Sequence, residues 1–182
     1  MKFITTTIPD VLLIQPQVHG DERGFFLETY RQDLFQSAGI TAQFVQDNHS
    51  GSRKGILRGL HYQIRFSQGK LVRVAAGEVF DVAVDCRKSS PTFGKWVGFR
   101  LSDTNKLSVW IPPGFAHGFY VLSDWAEIFY KATDYYAPEW ERTLRWDDPD
   151  VNIIWPLIDE SSPVLSQKDL NGKLLSEIET FE

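Results

Sequence analysis

The sequence predicts an all-β domain, a sandwich or closed barrel with a few short peripheral helices. Three observations carry that expectation: first, apolar residues recur with a period of two, and second, Gly and Pro punctuate them at regular intervals. Sustained helical periodicity is scarce, which is the third. In order, segments 71–74, 79–85, 96–101, 107–111, 118–122 and 127–131 read as strands. The breaks fall at Ala76-Gly77, Ser90-Pro91, Pro112-Pro113-Gly114 and Ala137-Pro138. Many short strands with exposed edges call for closure, hence the sandwich or barrel. One short helix is expected at 31–38, stopped by Gly39, and helical turns within 162–178. There Ser166-x-x-Asp169 resembles a capping box and Asn171-Gly172 limits the length. The part after Pro156 is expected to pack over the barrel.

The chain of 182 residues is read as one domain spanning 1–182, and 42% hydrophobic content supports a globular core. Its apolar runs are short. The run from Val11 to Ile14 is bounded by Pro9 and Pro16, so no membrane span is expected. The first residues lack the apolar core of a signal peptide, and the single Cys86 excludes an internal disulfide framework. These features suit a cytoplasmic protein. A net charge of −5 argues against nucleic-acid binding, which needs a basic surface. It leaves room for one small phosphorylated ligand held by a local cluster, for which Arg23, Arg58, Lys70 and Lys168 are candidates.

Two stretches carry most of the chemical information: Gly55-Ile-Leu-Arg-Gly-Leu-His61-Tyr-Gln63 and Ile111-Pro-Pro-Gly-Phe-Ala-His117-Gly-Phe119. They have the spacing of the two barrel motifs of a cupin, which implies a jelly-roll. The metal ligands of that motif are not in place. Gln63 stands where a second His is required, and an amide oxygen is a poor transition-metal ligand. The pocket is therefore expected to work by acid–base side chains, with no metal.

On a strand, Gly59, His61 and Gln63 share one face. If that face lines the barrel mouth, a neutral His61 imidazole can take a proton; a buried, hydrogen-bonded histidine is the plainer alternative. Strict alternation puts Arg58 on the opposite face, a conflict that a bulge at Gly59 would resolve. Tyr130 shares a strand face with Ile128 and could donate a proton, or simply fill the core. Lys70 opens a strand and could sit beside a developing enolate oxygen, or form a surface ion pair. Asp169 could orient His61, although a helix cap is the simpler role. His117, placed in the Pro112-Pro113-Gly114 turn, is either a ligand contact or structural. Segment 21–30 combines charge, glycine and aromatic faces suited to a base and a phosphate, with a solvated edge strand as the alternative. Gln46-Asp47-Asn48 offers amides for a polar ligand or for a turn. The Gly-rich dinucleotide and phosphate-binding motifs and the Gly-x-Ser-x-Gly elbow are missing, so redox and nucleotide-hydrolysis chemistry lose support.

Further ordered blocks are Asp21-x-Arg23-Gly-Phe-Phe26-x-Glu28, Gln68-Gly-Lys70-Leu-Val-Arg-Val74 and Gly77-Glu-Val-Phe-Asp-Val-Ala-Val-Asp85. Tyr130-Lys-x-Thr-Asp-Tyr-Tyr136, Arg145-Trp-Asp-Asp-Pro149 and Leu165-Ser-x-Lys168-Asp169 complete them. With the two barrel motifs, the chain from about Ile8 to Ile178 resembles the dTDP-4-dehydrorhamnose 3,5-epimerases. The resemblance implies a dTDP-linked 4-keto-6-deoxy sugar as substrate, no cofactor, and a homodimer with exchanged strands. It implies His61 as general base paired with Asp169, Tyr130 as general acid on the other side of the ring, and Lys70 stabilising the enolate. It implies Arg23, Arg58 and Lys168 as diphosphate and nucleotide contacts. Phe26 and Glu28 of the first block, with Gln46, Asn48, His117, Tyr136 and Glu141, match further substrate-binding positions. Segments 63–68 and 139–144 depart from the usual pattern at the substrate mouth. Three other readings stand beside this one: an epimerase inverting a single centre, a non-catalytic sugar-nucleotide-binding cupin, and a metal-dependent cupin.

Overall fold

The computed structural model describes residues 1–158 and 162–182. Two antiparallel sheets face each other. One runs β1 (Lys2–Thr5), β2 (Leu12–Gln15), β10 (Ser108–Ile111), β7 (Lys70–Ala76), β12 (Trp125–Ala132) and β5 (Gln46–Arg53). The other runs β13 (Glu141–Thr143), β6 (Leu57–Gln63), β11 (Phe115–Val121), β8 (Glu78–Asp85) and β9 (Trp96–Ser102). A separate hairpin, β3 (Val18–Asp21) with β4 (Gly24–Leu27), pairs with no other strand among the described residues. Two short helices, α1 (Gln32–Ser37) and α2 (Gln167–Leu170), lie at the periphery. This is the sandwich expected from the period-two pattern, in the jelly-roll form that the resemblance to cupin motifs implied.

Alternation decides which side chains meet. Val72, Val74 and Ile128 from one sheet pack against Val79, Ala83 and Phe119 from the other, forming the central core. The residues between them point outward into two outer clusters. Behind the five-stranded sheet, Val82, Val84 and Tyr120 are covered by Trp155, Leu165, Ile178 and Phe181, so the segment after Pro156 does pack over the barrel. Behind the six-stranded sheet, Leu71 and Trp110 are covered by Phe35 of α1 and Ile40. Burying a side chain such as Phe35, 1% exposed, stabilises the fold by about 1.5–3 kcal/mol. α1 ends as expected: Gly39 follows with φ +87°, a left-handed conformation that glycine adopts without penalty.

Several elements differ from expectation. β5 is a long strand where the sequence showed only amides suited to contacts or a turn. It was hidden because neither face is apolar: Gln46, Asn48 and Ser50 point inward to a polar cavity, while Asp47 and His49 face outward. His117 is not in the Pro112–Gly114 turn but inside the fully buried strand β11. Segment 21–30 forms an arm, the β3–β4 hairpin, rather than an edge strand of either main sheet.

Candidate active site

One end of the sandwich opens as a cleft of about 590 Å³ between the sheets. Its two walls come from different sheets: β6 and β11 on one side, β5, β7 and β12 on the other, with α2 at the rim.

His61 stands on β6, and Gly59 decides how its neighbours point. Between the pairs His117↔His61 and Phe119↔Arg58, β6 advances three residues while β11 advances two. This bulge moves Arg58 onto the cavity side with His61, resolving the conflict seen in strict alternation. Gly59 has φ +123°, and the Gly59–Leu60 peptide is cis. A Cβ at Gly59 would lie 2.5 Å from the Gly118 Cα and 2.8 Å from the His117 carbonyl oxygen, so no other residue fits. Arg58 is then held by donating to Ser52 Oγ at 2.9 Å and the Gly51 carbonyl at 3.4 Å.

Asp169 reaches His61 from α2, with His61 Nε2 and Asp169 Oδ1 2.6 Å apart. Ser166 is the N-cap of α2: its Oγ accepts from the Asp169 amide and donates to Asp169 Oδ2 at 2.6 Å. The Gly59 amide donates to Oδ1 at 3.3 Å. The cap is Ser166 and the orienting carboxylate is Asp169, so the hydroxyl that starts α2 also fixes the carboxylate that holds His61. Burial works against ionisation of Asp169, but the hydrogen bonds from His61, Ser166 and Gly59 outweigh it and hold the carboxyl below the ordinary aspartate range. Burial pulls the His61 imidazole below its ordinary value; Lys168 and Lys70 add to this while Asp169 opposes it. With Nε2–H donated to Asp169, Nδ1 is the nitrogen left for chemistry.

Tyr130 faces the cleft from β12, in the opposite sheet from His61. Burial and then the Glu141 charge push its phenol above the ordinary value, with Arg58 opposing. Lys70, at the start of β7, donates to the His61 carbonyl at 3.4 Å. Burial brings its ammonium down to about 8, against the pull of Glu141 and Asp81.

The mouth is organised by Glu141, which pairs with Lys168 at 2.8 Å and accepts from the Tyr136 hydroxyl at 2.8 Å. Burial opposes its ionisation, but Lys168 and Tyr136 outweigh it and lower its carboxyl. The Tyr136 amide donates to Gln46 Oε1, and Gln46 Nε2 donates to Asn48 Oδ1. Asn48 Nδ2 and Ser50 Oγ are buried on the cleft wall without a partner among the described residues, two donors left for a ligand. The His117 imidazole lines the cleft and bonds Asp81 at 2.8 Å.

Eleven of the residues expected at the site therefore share this cleft, the four with expected acid–base or enolate roles included. Arg23, Phe26 and Glu28 do not. Arg23 is 85% exposed beside Asp21, Phe26 is 71% exposed, and Glu28 faces Arg31. All three ride on or beside the hairpin arm, which the chain's own sheets do not cover. Gln63, at the position of a cupin metal ligand, is fully engaged elsewhere. Its Nε2 donates to the Phe66 and Tyr135 carbonyls and its Oε1 accepts from the Ala137 amide, anchoring the loop that carries Tyr136. Among the described residues, no three His, Cys, Asp or Glu side chains converge as a metal-binding group. Asp81, Ser50 and Ser52 were missed in the sequence. The available signal was a polar residue on the inward face of a strand.

A jelly-roll with a His–Asp pair on one wall, a phenol on the other and a buried ammonium between defines a cupin-type enzyme of acid–base chemistry. The sequence model described as dTDP-4-dehydrorhamnose 3,5-epimerase matches residues 5–177, and the chain belongs to that family. It is 59% identical over 182 residues to the dTDP-4-dehydrorhamnose 3,5-epimerase of Pseudomonas aeruginosa, covering 100% of this chain and 99% of that one. The solved structure of the Legionella pneumophila dTDP-6-deoxy-D-glucose-3,5-epimerase, in complex with dTDP-4-keto-L-rhamnose, superimposes with a TM-score of 0.95 at 55% identity. That match covers 98% of this chain and 94% of the Legionella chain. A 3'-monoepimerase from Streptomyces bikiniensis, in complex with dTDP-quinovose, is more distant: TM-score 0.87 at 33% identity, covering 94% and 87% of the two chains. No helix among the described residues is long and apolar enough to cross a membrane.

Proposed function

We propose that this enzyme inverts C3 and C5 of dTDP-4-dehydro-6-deoxy-D-glucose to give dTDP-4-dehydro-L-rhamnose, a step toward dTDP-L-rhamnose in the cytoplasm. The observation that carries the reading is the placement of His61 and Tyr130 on facing sheets of one cleft, with Lys70 beside them. The C4 ketone acidifies the hydrogens on both neighbouring carbons. His61 Nδ1 takes one as a proton, and the C–H electron pair moves onto the C4 oxygen as an enolate. The Lys70 ammonium stabilises that oxygen, in a setting where exclusion of water strengthens it. Tyr130 then returns a proton to the carbon from the opposite face, which inverts it. Imidazolium and tyrosinate are reset by exchange with water before the second centre reacts. Asp169 keeps the His61 tautomer fixed throughout. Arg58 and Lys168 supply positive charge for the diphosphate, and Tyr136, 52% exposed at the mouth, offers a face for the base.

Arg23, Phe26 and Glu28 enter through a second copy. The arm carrying them exposes Phe25 and Phe26, 62% and 71%, which supports a homodimer in which each arm closes the other subunit's cleft.

Turnover in deuterated water, followed by NMR of the sugar ring, tests the reaction. Deuterium with inversion at both C3 and C5 is expected. Inversion at one carbon would assign a single-centre epimerase instead, and tight binding without exchange would assign a binding protein.

A further inference from the structure

The cleft holds a second imidazole–carboxylate pair. His117 is the direct cross-strand partner of His61, so the two rings stand side by side on one wall. Asp81, on β8, pairs with Phe119 across the ladder while His117 pairs with Ala83, which makes Asp81 and His117 diagonal neighbours on the inward face. Their side chains meet at 2.8 Å through His117 Nε2 and Asp81 Oδ2.

Asp81 is 1% exposed and lies between inward-facing Val79 and Ala83 in the central core. A carboxylate there carries a large desolvation cost, and an apolar residue would serve stability better. Its other oxygen, Oδ1, is buried with no hydrogen-bond partner among the described residues. Asp85, four residues along the same strand, shows how this fold treats a structural carboxylate. It is 0% exposed, and Arg87, Ser90 and Thr92 together saturate both its oxygens. Asp81 is retained half-satisfied, and its one bond goes to a cleft residue.

We propose that Asp81 is a positioning residue: it locks His117 as the Nε2–H tautomer and so presents the Nδ1 lone pair to a hydroxyl of the bound sugar ring. The hydrogen bond to Oδ2 places the proton on Nε2. In the neutral ring that leaves Nδ1 as an acceptor. A 4-keto-6-deoxyhexose joined through C1 and closed through O5 has free hydroxyls only at C2 and C3, so one of these two is the group read. The pair thereby selects a hydroxylated ring and fixes its rotation beside His61. This proposal rests on the sugar-nucleotide reading above.

The ring tautomer is measured first, by 15N NMR of the full-length protein without substrate. His117 is expected as Nε2–H in the natural protein and as a tautomer mixture in Asp81→Asn. This readout needs no turnover, so it stands apart from the reaction assignment. Next, calorimetric affinities are compared for the parent sugar nucleotide and its 2-deoxy and 3-deoxy analogues. The natural protein is expected to bind one analogue about 10- to 100-fold more weakly than the parent, because a buried acceptor is left unpaired. Asp81→Asn and His117→Gln should each erase that discrimination, and the double variant should behave as His117→Gln alone. If Asp81→Asn does not fold, judged by circular dichroism, His117→Gln still carries the analogue comparison. Unchanged discrimination in His117→Gln, an additive double variant, or His117 protonated on Nδ1 in the natural protein would overturn the proposal.

Discussion

The His61 imidazole works as a base only while neutral, and the Lys70 ammonium stabilises an enolate only while charged. Burial lowers the His61 value, so kcat/KM is expected to rise on an acidic limb lying below the ordinary histidine range. It should fall again near pH 8 as Lys70 loses its proton, while the raised Tyr130 phenol stays protonated across that limb. A pH profile of kcat/KM checks both limbs, and Lys70→Met should remove the alkaline one along with most activity. Replacing His61 with Ala should cost about 10²–10⁴-fold in kcat without loss of the fold. Asp169→Asn should approach the same loss, since an amide can settle the imidazole in the wrong tautomer. Single-turnover kinetics with circular dichroism separates a dead site from an unfolded one. His61 and Tyr130 were legible as candidates because each sat in a strand motif. That Asp169 reaches His61 followed only from the family resemblance, since 108 residues separate them and the docking of α2 closes the gap.

Two short elements hold the site in shape. The β6 bulge depends on Gly59, whose added Cβ would strike Gly118 and the His117 carbonyl, both backbone. Gly59→Ala is expected to destabilise the protein by roughly 3 kcal/mol or more, measured by urea denaturation, and to weaken nucleotide binding as Arg58 swings away. The sequence supplied the conflict between Arg58 and His61 and named Gly59 as the place to resolve it; the bulge itself needed the β11 register. Gln63 is the second case. Its three main-chain hydrogen bonds tie down Phe66, Tyr135 and Ala137. Gln63→Ala should raise KM several-fold with a smaller effect on kcat, because it loosens the Tyr136 loop rather than the acid–base groups. Steady-state kinetics on both parameters tests that split.

The whole molecule is expected to be a dimer whose clefts are completed across the interface. A mixing experiment separates exchanged arms from arms that serve their own chain. His61→Ala subunits and Arg23→Glu subunits are each expected to be nearly inactive. Refolded together, they should recover about a quarter of natural activity: half the dimers are mixed, and in those one cleft is intact. No recovery would mean that each arm stays with its own cleft. Light scattering gives the assembly size independently.

The alternation of apolar residues determined the all-β class and the approximate bounds of most central strands, because burying one face of a strand forces a period of two. Gly39 and the Ser166-x-x-Asp169 pattern likewise marked helix ends through local backbone chemistry. β5 escaped, because a strand lining a polar cavity on one side and facing outward on the other has no apolar period to read. Asp81 escaped for a related reason: an acid inside a strand has no meaning until a histidine on the neighbouring strand stands against it. Which residues share the cleft was decided by tertiary structure alone. Sheet register and helix docking bring together groups far apart in the chain, and those contacts leave no periodic trace in the order of the residues.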